Sequence, residues 1–213
     1  MSTPHLLNLA AHVGAGGLAI LLGFAVLGRT KGDATHRRWG LWLVGITTIV
    51  VATAALGLAV FRWMPLFALL TLLVGYQLLG GWRAARTREA GPQRIDLAFS
   101  LLAVAIAAVI VPTALNDPMV ARAVVIGSCS ALGTVLSYDL LRWLAPKRWH
   151  AAAWRYEHLY KMNAALFGMI SAFVGNTVRA WQPWSQLLPS AIGILAIVVQ
   201  ASRLARAEQR AKT

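Results

Sequence analysis

Any chemistry in this chain falls to a few polar residues set in or beside long apolar blocks. They are His5, Asn8 and His12 in the first block, His36 ahead of the second, Asp139 near the end of the fifth, and His158, Lys161 and Asn176 in the sixth. An imidazole can ligate a metal or exchange a proton near neutral pH. An ionisable group inside a bilayer is costly and needs a partner, so each is a candidate ligand contact. The sixth block, WRYEHLYKMNAALFGMISAFVGNTVR at residues 154–179, carries three of them. At roughly 100° per residue, His158, Lys161, Ala165, Gly168, Ala172, Asn176 and Arg179 share one stripe, polar at its ends and small in its middle. The first block has a similar face of His5, Asn8, His12, Gly16, Ala19 and Gly23. Small residues let helices approach closely. The two stripes are therefore expected to face each other, with His5, Asn8, His12 and Asn176 gathered at one end as a ligand site.

Each of these residues also has a plain structural reading. Asp139 and Arg142 stand three apart on one helix and can neutralise each other. The Lys161 stem can carry its ammonium back to the headgroups. His150 falls in a basic loop, where it is expected to be solvated, and Cys129, the single cysteine, is expected to be a packing residue.

Two axial histidines of a haem must lie at one depth. His12 and His158 fall toward opposite ends, whereas His36 and His158 share an end; His5 or His12 could instead pair with a ligand of another subunit. Haem b, or a quinone, is one cofactor reading. A second is a zinc-dependent membrane hydrolase built on His36, Asp139 and His158, although no HExxH or HxxxH spacing accompanies them. The chain has no P-loop, no GxSxG and no dinucleotide fingerprint between strand and helix.

The elements that must position these groups are membrane spans. Hydrophobic residues make up 58% of the chain and charged ones 13%, in blocks rather than amphipathic periods, which excludes an ordinary soluble domain. Seven segments approach the roughly 20 residues needed to cross hydrocarbon, at about 6–28, 40–61, 65–82, 96–115, 120–143, 154–178 and 187–204. The third is the shortest. The fold expected is an all-α, seven-helix transmembrane bundle, a single domain over 1–213, its first span uncleaved because MSTPHLLNLAAHVGAG has no basic n-region.

The net charge of +13 would suggest nucleic acid in a soluble chain, but here it marks topology. Sixteen of the twenty Lys and Arg residues fall in the first, third and fifth connections and the tail, against Arg62, Arg122 and Arg179 on the other side. The C-terminus is expected to face the cytoplasm and the N-terminus the outside of a bacterial inner membrane. All nine tryptophans lie near expected span ends, where an amphipathic ring is favoured.

The run HVGAGGLAILLGFAVLGRTKGDATHRRWG resembles a bacterial family of multi-span inner-membrane proteins catalogued as a domain of unknown function. The matching positions are His12, Gly16, Gly23, Lys31, Gly32, His36, Arg37 and Gly40. GGWRAAR, the YDLLR around Asp139, and HLYKMNAALFGMISAFVGN are similar to the same family, the last through His158, Met162, Ala165, Ala172, Phe173 and Asn176. Asn163 and Ala164 depart from a Gly-Ser-like pair expected after the methionine. The resemblance implies an integral membrane protein and implies no reaction.

Three readings stand open. The first is a non-enzymatic protein, binding a small ligand through His12, Asn8, Asn176, His158 and Lys161 or serving as accessory to a partner membrane subunit or to further copies of itself. The second is the haem b or quinone redox protein; the third is the zinc hydrolase. The lack of a complete catalytic set favours the first.

Overall fold

The computed structural model describes residues 2–211; Lys212, counted above with the basic tail, lies outside them. The chain is all-α, with no strand among the described residues. Seven long helices follow in order: α1 (Thr3–Leu27), α2 (Ala34–Leu56), α3 (Pro65–Thr87), α4 (Arg94–Leu115), α5 (Arg122–Leu141), α6 (Lys147–Thr177) and α7 (Trp184–Arg210).

The ends of these helices follow local chemistry. Asp33 caps α2 by accepting from the His36 amide, and Pro65 stands in the first turn of α3, where its missing N–H costs nothing. Gln93 and Asp96 bond reciprocally across the first turn of α4. The last turn of α2 widens into a π segment, Gly57–Phe61. The short loops alternate the helix directions. Asn8 near the start of α1 bonds Thr53 near the end of α2, and Arg83 near the end of α3 pairs with Asp96 near the start of α4.

Six helices, all but α6, are long and apolar enough to cross a membrane, the second of them counted through Phe61. Leu7, Leu21, Val109, Ile194 and Leu195 lie on a broad apolar outer surface. Two regions of the expected segmentation need correction. The third segment, expected to be the shortest, is a 23-residue helix, and its apolar stretch is the most deeply enclosed of the six. α6 begins at Lys147 rather than Trp154 and runs for 31 residues, because its polar groups are buried in the bundle instead of ending it.

α3 and α6 form the centre. Leu69, Leu132, Val125 and Val135 fill one core among α3, α4 and α5, while Ala19, Val50, Val74, Ala165 and Leu166 fill a second among α1, α2, α3 and α6. α3 meets α6 at Gly81, where a Cβ would stand 2.9 Å from Met162 Sδ. A larger residue there would have to displace the Met162 side chain and would crowd Lys161 Cβ, 3.1 Å away.

Candidate functional site

The densest polar cluster joins α3, α4, α5 and α6. Lys161, fully enclosed, places Nζ 2.6 and 2.8 Å from the two carboxylate oxygens of Asp139. Tyr76 donates to the same carboxylate at 2.7 Å and shares a hydrogen bond of 2.8 Å with Ser100. The Arg142 Nε lies 3.3 Å from Asp139, and its Nη1 donates to Glu157, which also accepts from Tyr138 at 2.6 Å. Two cations thus meet two anions, all buried. Arg83 and Asp96, at 2.6 and 3.0 Å, connect to this group through Ser100, whose hydroxyl donates to the Asp96 carbonyl. The room for Lys161 comes from Gly80, where a Cβ would stand 3.3 Å from Nζ.

Lys161 therefore does not extend to the headgroups. Its position on the small-residue face turns the ammonium toward Asp139 of α5, and with both groups out of water each compensates a charge that would be costly to bury alone. The expected Asp139–Arg142 ion pair is present, with Lys161 added to it. Glu157, Tyr76 and Tyr138 were not singled out from the sequence. The available signal was charge complementarity: Asp139 and Arg142 near the end of α5, and Glu157 and Lys161 one turn apart on α6.

A second polar group lies between α1 and α2. His12 Nδ1 is 3.1 Å from both the Val50 carbonyl and Thr53 Oγ1, and Asn8 donates to the Thr53 carbonyl at 3.1 Å. A carbonyl only accepts, so the His12 proton is on Nδ1. His5 stacks on Phe61, with ring centres 4.6 Å apart. Asn176 is not here. It is exposed and accepts from Arg179 of its own connection. The expected gathering of His5, Asn8, His12 and Asn176 is thus corrected: α1 turns its polar residues to α2, whose Thr53 and Val50 lie directly opposite. α1 and α6 do meet further along, where Gly23 faces Leu166. The α6 stripe faces inward from Lys161 to Gly168, toward α3, with Gly168 against Val74, while Asn176 and Arg179 at its far end are exposed.

The third group sits beside the charge cluster's end of the bundle, where α1 finishes and α2 begins. The rings of His36 and His158 stand perpendicular, at 85°, with centres 6.4 Å apart. His158 Nδ1 lies 2.9 Å from the Gly81 carbonyl of α3 and so carries the proton, which leaves Nε2 as the lone-pair nitrogen. His36 Nδ1 is buried and makes no well-aligned hydrogen bond, although the Val26 carbonyl at the end of α1 lies close to the ring. Lys31, in the loop between α1 and α2, donates to the carbonyls of Val26 and Leu27 and closes the end of α1. Burial holds its ammonium below the usual lysine range.

Asp139 does not join the two histidines. It is turned toward Lys161 and Tyr76, and among the described residues no three His, Cys, Asp or Glu side chains gather to hold a metal ion. The zinc set is therefore not assembled. His150, expected in solvent, is buried in the first turns of α6 against Gly91, whose φ of 74° favours glycine. Cys129 packs against the first core, as expected. A cavity of about 500 Å³ opens between α5 and α6, lined by Tyr138, Trp149, Tyr156 and Tyr160 among others. Two of its hydroxyls are committed, Tyr138 to Glu157 and Tyr156 to Glu208, so its wall offers a quinone few donors.

Comparison with protein-family models, with curated proteins and with solved structures finds no match to this chain. Its function must come from these three groups. The charge cluster is closed on itself: each of its carboxylates already faces a cation, leaving no free base for catalysis. The α1–α2 group is likewise a set of satisfied bridges. Arg142 Nε and His150 Nδ1 are also buried without a hydrogen bond, but the first faces the Asp139 carboxylate and the second belongs to a ring packed against Gly91. The histidine pair sets such a nitrogen, His36 Nδ1, beside the lone pair of a second imidazole.

Proposed function

We propose that this chain is an integral protein of a bacterial inner membrane, crossing it seven times, and that it binds a small ligand at the His36–His158 junction without catalysing a reaction. α6 crosses with the other six because its charges are neutralised inside the bundle. The orientation rests on the basic end. Arg29 lies over Trp39, Arg86 over Trp82, and Arg88 and Arg155 over Trp154, all within 5.4–5.7 Å. Such cation–aromatic pairs suit a headgroup layer, and the excess of Lys and Arg supports a cytoplasmic position for that layer and an N-terminus outside.

The observation that carries the ligand reading is His36 Nδ1, buried without a well-aligned hydrogen bond beside His158. A buried polar atom left unpaired costs about 1–3 kcal/mol, which a ligand contact would recover. Of the expected ligand residues His12, Asn8, Asn176, His158 and Lys161, this reading keeps His158, sets aside the other four, Lys161 because it is committed to Asp139, and adds His36. Native mass spectrometry of the detergent-purified protein tests this. A bound small molecule is expected on the wild type and absent from His36→Ala at equal folded yield. A wild type that carries none, across preparations from its own membrane, would overturn the reading.

A further inference from the structure

Building on that ligand reading, we propose that the ligand is a haem of the b type, its iron held between the imidazoles of His36 and His158. Two ring nitrogens each about 2 Å from one ion put their ring centres roughly 6 Å apart. The two rings stand at 6.4 Å, so their separation already matches a pair of axial ligands. The outer hydrogen bond is also in place. A ligating histidine characteristically donates its other N–H to a carbonyl or carboxylate, which fixes the ring and its tautomer. His158 does this to the Gly81 carbonyl, with Nε2 left to ligate.

The donor count favours a porphyrin over a bare ion. No third His, Cys, Asp or Glu joins the pair among the described residues. A zinc ion needs about four ligands, so a bare ion here would lack half its shell. A porphyrin supplies four nitrogens of its own and needs only two from the protein, one from each of two helices. The surrounding charge suits the rest of the molecule. Lys31 lies near both rings, and Arg29, Arg37 and Arg38 share the same loop and helix start. The two propionates of a haem b are acidic, and this is the basic end of the bundle. The apolar face of the macrocycle suits a site at the boundary of a hydrocarbon layer.

The test is an absorption spectrum of the purified full-length protein, air-oxidised and then reduced with dithionite, followed by titration with hemin. A Soret band with sharpened peaks on reduction, saturating near one haem per chain, is expected. It should be lost in His36→Ala and in His158→Ala and retained in His5→Ala. The wild-type hemin titration needs no variant to fold, so a flat response there overturns the proposal by itself. A metal found by elemental analysis without a Soret band overturns the porphyrin in favour of a bare ion. A flat spectrum accompanied by some other small molecule, lost in His36→Ala, defeats haem and leaves the ligand reading standing. No bound molecule at all defeats both.

Discussion

The two ends of this bundle are polar in different ways. Where α1 begins and α2 finishes, His5, Asn8, His12 and Thr53 are joined by neutral contacts, and two helices suffice to make them. Toward the other end, Lys161, Asp139, Arg142 and Glu157 are full charges, enclosed by several helices. A neutral bridge survives half-exposed at the edge of a fold. A charge out of water survives only if every side of it is supplied with a partner, so it recruits neighbours and defines a centre. The first end ties the two helices of one hairpin together; the second makes the bundle.

The largest test of this contrast is Lys161→Met. It strands Asp139 in the interior, and the expected cost is about 3–5 kcal/mol, read as a lower melting temperature in detergent. Removing both charges with Lys161→Met and Asp139→Leu should restore much of that loss; a double variant as unstable as the single would break the comparison. Tyr76→Phe deletes a donor to the carboxylate and should cost about 2 kcal/mol, measured the same way. His12→Ala, at the neutral end, should cost about 1 kcal/mol. If it costs as much as Lys161→Met, the two ends are not different in kind. Asn176→Ala, which touches only Arg179 at the surface, should leave the melting temperature unchanged.

The helical class and most of the boundaries were legible because apolar blocks of about 20 residues leave few alternatives. The inward face of α6 was legible too: Ala165 and Gly168 pack as their spacing implied. What spacing could not convey is the neighbour. A small-residue stripe names a face of one helix, while the partner depends on how seven helices rotate and rise against one another. On α1 the same pattern held only in part: Ala19 is buried and Gly23 faces Leu166 of α6, whereas Gly16 has nothing within 4 Å of where a Cβ would stand.

Lys161 shows the same limit. Asp139 is 22 residues away on another helix, and each residue had a cheaper local explanation, an i,i+3 arginine for one and snorkelling for the other. Both explanations are local, and the pairing is not. His36 and His158 could be matched in depth from the sequence, because depth follows from distance to a span end. That one of them lacks a well-aligned hydrogen bond could not.

The four paired charges, Asp139, Arg142, Glu157 and Lys161, also bear on how the chain is made. α5 emerges from synthesis first, carrying Asp139 and Arg142 near its end; α6 follows after a five-residue connection, bearing Glu157 and Lys161. Taken alone, α6 is too polar to commit to the hydrocarbon, being the one long helix that fails the span criterion. Its complement is already waiting one hairpin earlier. The order of the charges along the chain is thus also a timetable: the helix least able to enter a membrane is synthesised next to the one that makes its entry tolerable.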